Sequence, residues 1–134
     1  MKTSEVIYVG ELRTEATHLR SGTVILTDAP VDNHGKGEAF SPTDLVATAL
    51  GSCMVSIMGI LADKHDIDIV DTKIEIVKQM ASDPRRICAV DVDLYMPNKT
   101  YSDKEKSMLE HSARTCPVAK SLHPDIQQNI SFHW

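Results

Sequence analysis

The chain has 134 residues, 42% of them hydrophobic and 25% charged, a length and balance that fit one globular domain able to bury its own core. A net charge of −5 has the wrong sign for a nucleic-acid footprint, which needs a dense Lys/Arg surface against phosphate, and aromatics at 4% are too few for a base-stacking or carbohydrate platform. The opening residues Met1-Lys2-Thr3-Ser4-Glu5 lack the apolar core of a signal peptide, and three widely spaced cysteines do not make a secreted disulfide framework, so the expected compartment is the cytoplasm.

From Glu5 to Pro30 the pattern predicts strands. Val6, Tyr8 and Leu12 alternate with polar or small residues, and Gly22 precedes the run Thr23-Val24-Ile25-Leu26. Asp28 to Phe40 reads as a loop, punctuated by Pro30, Asn33, Gly35 and Gly37. Ser41 then supplies a helix cap and Pro42 suits the first turn. Asp44 stands third, where its carboxylate can close a capping box. Leu45 to Ala62 contains no charged residue, a length that approaches a bilayer span. Thr48, Gly51, Ser52, Ser56 and Gly59 interrupt it, however, no basic cluster flanks it, and its neighbours are alternating strands. The expectation is a central helix buried on all sides, not a membrane span.

Beyond His65-Asp66 the period returns to two. Ile74, Ile76 and Met80 share one face, Asp83-Pro84 turns the chain, and Cys88, Val90, Val92, Leu94 and Met96 share the apolar face of the returning strand. Asp91, Asp93 and Tyr95 take the opposite face, so the hairpin is wet on one side and dry on the other. Pro97 to Thr100 ends it. Ser102-Asp103-Lys104-Glu105 is a capping box opening a helix to about Thr115. Cys116-Pro117 breaks that helix and starts a shorter one ending near His123-Pro124, and Ile130, Phe132 and Trp134 predict a last strand. With no repeat or internal boundary, residues 1–134 are expected to form a single α+β domain.

The three cysteines differ in setting. Cys88, on an apolar strand face, is expected to behave as a small hydrophobe. Cys116 directly precedes Pro117 and is a predicted N-cap, where unpaired N–H groups and the positive helix end favour thiolate. Cys53 lies mid-helix among Val46, Ala49, Leu50, Ile57 and Ile60, where burial alone raises a thiol pKa. It becomes reactive only if a cation reaches it, and Arg13 and Arg20 of the first strand pair are the candidates. A zinc site built from Cys53, Cys116, His65, His111 or His123 lacks the usual ligand spacing. Gly51-Ser52-Cys53 is not a nucleophile elbow, and no glycine-rich phosphate loop is present.

Ser41-Pro42-Thr43-Asp44-Leu45, Ala47-Thr48-Ala49-Leu50-Gly51-Ser52-Cys53 and Cys116-Pro117-Val118-Ala119-Lys120-Ser121-Leu122 closely resemble the OsmC/Ohr family, and the order of elements matches over essentially the whole chain. The resemblance implies an OsmC-like fold of antiparallel sheets around long central helices, assembled as an intertwined homodimer with active sites at the subunit interface. It also implies a thiol peroxidase acting on organic hydroperoxides without metal, flavin or haem. Cys53 would then be the peroxidatic thiolate that becomes a sulfenic acid. Cys116 would be the resolving thiol, and an external thiol or lipoyl-type dithiol would reduce their disulfide.

The family sets an arginine from the N-terminal strands beside the thiolate and orients it with a glutamate near the start of the central helix. Arg13 is the better match for the arginine and Arg20 the second. The glutamate position falls on Thr43, with Asp44 next to it, a shorter side chain pointing about 100° away around the helix. This departure resembles the less characterised branch of the family. It leaves open a non-enzymatic dimer that binds a small molecule or senses redox state.

Overall fold

The N-terminal alternation folds into three strands, β1 (Ser4–Gly10), β2 (Arg13–His18) and β3 (Val24–Asp28), in a computed structural model that describes residues 1–134. They pair antiparallel in the order β1-β2-β3. Glu11 (φ 52°) and Leu12 (φ 62°) both take left-handed backbone between β1 and β2, as a tight two-residue hairpin turn demands. The β2–β3 register sets Arg13 opposite Asp28 and Thr14 opposite Thr27. A single 3₁₀ turn, Val31–Asn33, lies in the loop that follows, and backbone bonds from Asp28 N–H to Phe40 O (3.1 Å) and Ala29 N–H to Leu12 O (3.0 Å) hold that loop to the sheet.

The helix α1 (Pro42–Lys64) starts where the cap residues predict. Ser41 Oγ accepts from the Asp44 N–H at 3.1 Å while Asp44 Oδ2 accepts from the Ser41 N–H at 2.9 Å, a reciprocal capping box. The chain divides into two compact units, Met1–Val46 and Ala47–Trp134, and α1 begins in the first and continues into the second.

In the second unit β4 (Lys73–Ala81) and β5 (Arg86–Tyr95) form the expected antiparallel hairpin. The helices α2 (Asp103–Ala113) and α3 (Pro117–Ser121) carry the chain back so that β6 (Gln127–His133) enters parallel to β5. This sheet, ordered β4-β5-β6, is therefore mixed where purely antiparallel pairing was expected. A helical crossover returns the chain in the direction it left, and that dictates the parallel pair. The capping box of α2 forms as predicted, Ser102 with Glu105.

The core gathers Leu50, Met54 and Met58 of α1, Val90, Val92 and Leu94 of β5, and Leu109 and Ala113 of α2. Gly51 permits the close approach of α1 to β4: a Cβ there would stand 2.6 Å from Ile76 Cδ1 and 3.1 Å from Ile74 Cγ2. Two further expectations are corrected. First, α1 is not buried on all sides. Ala47, Leu50, Gly51, Met54, Met58 and Ala62 form a buried stripe at helical spacing, whereas Val46 and Ile60 remain 38% and 54% exposed. By length and composition α1 is apolar enough to cross a bilayer, yet that stripe packs in the core of this chain.

Second, Cys88 does not lie on the apolar face of β5. Gln79 pairs with Ala89 and Met80 with Ile87, so Cys88 is the extra residue of a β-bulge. The bulge turns its half-exposed side chain outward, with Sγ 3.4 Å from Gln79 O. Val90, Val92, Leu94 and Met96 keep the predicted buried face.

Candidate functional site

Cys53 sits about three turns into α1, half-buried and packed against the core. Cys116 is fully buried, at the junction where α2 ends and α3 begins. Pro117 explains the junction, because it has no N–H to continue α2 and its fixed φ suits the first position of α3. Cys116 is then the N-cap, and its Sγ accepts the Ala119 backbone N–H at 3.3 Å. The fold brings the two cysteines together, near enough that Cys53 helps to raise the pKa of the Cys116 thiol. All three cysteines are free thiols.

The N-cap was expected to depress the Cys116 pKa, and the structure reverses the sign. Burial in an apolar core pushes the thiol up; the Ala119 N–H pulls it down; the neighbouring Cys53 pushes it up again, and the Val118 N–H pulls down least. Desolvation therefore wins over a cap on a helix of only five residues. Cys116 is a protonated donor beside Cys53.

Arg13 lies in the first unit on β2, and its surroundings were not legible as a site in the sequence. Its Nε donates to Asp28 Oδ1 and its Nη2 to Asp28 Oδ2, both at 2.8 Å, and Nη2 also reaches Glu38 Oε2 at 3.3 Å. The Asp28 side chain is completely buried and accepts a further bond at Oδ2 from the Glu38 N–H at 3.1 Å. Hydrogen bonding to Arg13 holds the Asp28 carboxyl below its ordinary value, and Asp28 raises the Arg13 pKa in return. Asp28 and Glu38 read as loop residues in the sequence. The signal that could have found Asp28 is the hairpin register, which sets it opposite Arg13; Glu38 lies beyond β3 and has no such signal.

Arg20, the second candidate cation, is exposed in the turn between β2 and β3. Thr43 lies in the first turn of α1 with its Oγ1 3.2 Å from Ser41 Oγ, and Asp44 is the capping acid described above. No group of three His, Cys, Asp or Glu side chains is gathered as a metal-binding set.

Comparison with known proteins bears on this site. A family profile described as OsmC-like protein matches residues 35–131. No curated protein matches the chain. Among solved structures, a Psychrobacter arcticus 273-4 protein, provisionally named an osmotic stress induced and detoxification response protein, is 54% identical. It superposes with a TM-score of 0.95 over 99% of this chain and 96% of that one. The Legionella pneumophila organic hydroperoxide resistance protein OsmC is 16% identical, with a TM-score of 0.76 over 100% of this chain and 98% of that one. The Bacillus subtilis organic hydroperoxide resistance protein OhrB is 18% identical, with a TM-score of 0.69 over 98% of each chain. At those identities the last two are similar in fold alone.

Proposed function

The chain belongs to the OsmC-like protein family, and from that premise we propose that it is a thiol peroxidase reducing organic hydroperoxides through Cys53 and Cys116. The observation that carries this is the meeting of the two sulfurs in the core, one half-exposed and the other buried and protonated. Of the two, Cys53 is the less buried residue and would be the one a peroxide reaches.

In this chemistry the Cys53 thiolate attacks the outer peroxide oxygen and the O–O bond breaks. The alkoxide leaves with a proton as alcohol, and Cys53 becomes a sulfenic acid, oxidised by two electrons. The Cys116 thiol then attacks the sulfenic sulfur, water departs, and a Cys53–Cys116 disulfide forms. An external thiol, or a lipoyl-type dithiol, supplies two electrons and restores both thiols. A guanidinium from Arg13, or from Arg20, would stand beside the Cys53 thiolate. No metal or organic cofactor enters these steps.

A homodimer fits the same family, and the exposure of apolar side chains supports it. Val6 (61%), Ile7 (64%), Tyr8 (64%) and Ile25 (46%) on the first sheet, with Ile60 (54%) on α1, would be covered by a second copy. The compartment proposed is the cytoplasm, whose reducing thiol pool keeps such a pair ready to act.

The test is consumption of tert-butyl hydroperoxide by the reduced protein with dihydrolipoamide as reductant. Cys53→Ser should abolish turnover. Cys116→Ser should allow one oxidation event and leave a sulfenic acid that dimedone traps. Unchanged turnover in Cys53→Ser would overturn the proposal. Oxidation without turnover in the unmodified protein would favour a redox-sensing or binding role, the alternative that Thr43 in place of the family glutamate keeps open.

A further inference from the structure

The inward face of β6 carries one residue that does not match its neighbours. Ile126, just before the strand, and Ile130 and Phe132 within it pack against the core, and Gln128 stands half-buried at the same alternation. A polar side chain on such a face costs free energy unless its amide is bonded. The partner is the Ala119 carbonyl of α3, to which Gln128 Nε2 donates at 3.0 Å. We infer that Gln128 is a positioning residue for Cys116: it fixes Ala119 by the carbonyl, and Ala119 aims its N–H at the Cys116 sulfur. The part given to Cys116, closing the disulfide, rests on the peroxidase function proposed above.

The bond is needed because α3 is short. In a longer helix the Ala119 carbonyl would accept the N–H of His123, but α3 ends at Ser121 and Leu122 has already turned to extended backbone (ψ 150°). Gln128 supplies the missing donor. The backbone bonds of α3 are few, Lys120 N–H to Cys116 O at 3.2 Å and Leu122 N–H to Val118 O at 3.1 Å, and a helix of five residues does not hold itself in water. Ala119 therefore depends on β6 for its place, and the Cys116 sulfur, which accepts the Ala119 N–H at 3.3 Å, depends on Ala119. The same face of β6 grips the other side of the junction. The Arg114 guanidinium, at the C-cap of α2, lies over the Phe132 ring at 5.7 Å from its centroid. Cys116 is thus flanked along the chain by two residues tied to one strand, and all of them belong to the second unit.

The aimed N–H matters because Cys116 is buried. Desolvation pushes its thiol up, and the Ala119 N–H is the largest influence pulling it back. In the second step of the proposed reaction the Cys116 sulfur bonds to the Cys53 sulfenic sulfur and the S–O bond breaks. The departing hydroxide takes up the thiol proton as water. The attacking species is the thiolate, so a donor that steadies charge on the Cys116 sulfur sets how much of it is present. Loss of one hydrogen bond to a charged sulfur is on the scale of about one pKa unit, hence about tenfold less thiolate at neutral pH. A more basic thiolate is a better nucleophile, which returns about threefold, so this step should slow about threefold. The attack of Cys53 on peroxide should keep its rate.

The experiment is Gln128→Met on the full-length protein, a side chain of similar length that suits the apolar face and has no N–H to donate. With Cys53→Ser and Cys88→Ser also present, ultraviolet absorbance of the thiolate reads Cys116 alone, free of its neighbour. Gln128→Met should raise the titration midpoint by about one pH unit. An unchanged or lowered midpoint would overturn the inference. So would a lower melting temperature with the midpoint in place, the mark of a glutamine that only ties β6 to α3. With all three cysteines kept, rapid mixing with one equivalent of tert-butyl hydroperoxide separates the two steps. The sulfenic acid should form at the same rate in Gln128→Met and last about threefold longer, and an equal lifetime would count against the inference. Amide hydrogen exchange of the unmodified protein guards against a variant that does not fold. The Ala119 N–H should be protected, and exchange at the rate of an unbonded amide would overturn the inference without any substitution. The titration needs no turnover. A protein inert to peroxide would therefore sink the peroxidase proposal, while the Cys116 midpoint still decides whether Gln128 acts on Cys116.

Discussion

The Ala119 backbone N–H points at the Cys116 sulfur from 3.3 Å, yet the Cys116 thiol holds its proton more tightly than an ordinary cysteine. Burial outweighs the cap. The two cysteines therefore sit in unequal surroundings, Cys116 buried and neutral and Cys53 only half-buried, and the proposed mechanism would use the second as the point of attack and the first as the proton donor.

That inequality predicts a pH dependence. The unfolded chain ionises Cys116 near pH 8.5, while the folded chain keeps it protonated to higher pH. The folded state binds the extra proton, so this contribution to stability is complete below about pH 8.5 and is lost as pH rises through the folded value. Urea midpoints measured under a phosphine reductant should therefore fall between about pH 8 and pH 10, and fall less in Cys116→Ser, whose hydroxyl can still cap the Ala119 N–H. Equal slopes for the two proteins would contradict the assignment. In native alkylation the half-exposed Cys88 should be modified before Cys116.

What the sequence could show divides along the range of the interactions. Both capping boxes, Ser41 with Asp44 and Ser102 with Glu105, were readable because they are complete within four residues. The Cys116 cap was readable for the same reason, but the sign of its pKa was not, because its burial depends on a core completed by residues far away in sequence. Cys88 was misplaced because a bulge is a property of two strands in register, and alternation along one strand cannot reveal it. Alternation on both sides of the bulge did reveal Val90, Val92 and Leu94. The exposed side of α1 was misread because a stretch that is apolar all round looks the same whether its own chain buries every side or a single stripe.

The Arg13–Asp28 pair should show its own pH signature, in the opposite direction. A carboxyl held below its ordinary value contributes stability above the unfolded pKa, near 3.9, and loses it as pH falls through the lower folded value. Asp28→Asn should be less stable than the unmodified protein at neutral pH, and the gap should narrow as pH drops below about 4. Circular dichroism during acid titration measures this. A gap that stays constant down to about pH 2 would mean that Asp28 titrates alike in the folded and unfolded chain, and a gap that widens as pH falls would mean that it carries its proton in the fold.

Gly51 should tolerate a methyl group and little more. Alanine there gains about 1 kcal/mol of helix propensity, but its Cβ would press on Ile76 Cδ1 at 2.6 Å and Ile74 Cγ2 at 3.1 Å. The end of an isoleucine can shift, so Gly51→Ala should come out near neutral. Gly51→Leu cannot be absorbed in that way and should cost about 1–3 kcal/mol by overpacking. Chemical denaturation of both variants checks the contrast, and a stable Gly51→Leu would show that α1 and β4 can move apart at little cost.

The surface of the first sheet leads to the last prediction. Val6, Tyr8 and Ile25 lie on one face by strand register, and Ile7 and Leu26 on the other, all between 41% and 64% exposed. An alternating strand normally hides one face and wets the other. Here both faces are apolar and open, as is the Val46 and Ile60 side of α1, so a cover on one side of the sheet would not be enough. A second copy that embraces the first would supply both covers. Sedimentation equilibrium at micromolar concentration should therefore give twice the 14.8 kDa chain mass. Substituting Tyr8→Glu and Ile25→Lys together places charge in the proposed interface and should shift the mass toward that of one chain, with the circular dichroism of the second unit retained. A single-chain mass for the unmodified protein would leave the apolar sheet unexplained and remove the dimer from the proposal.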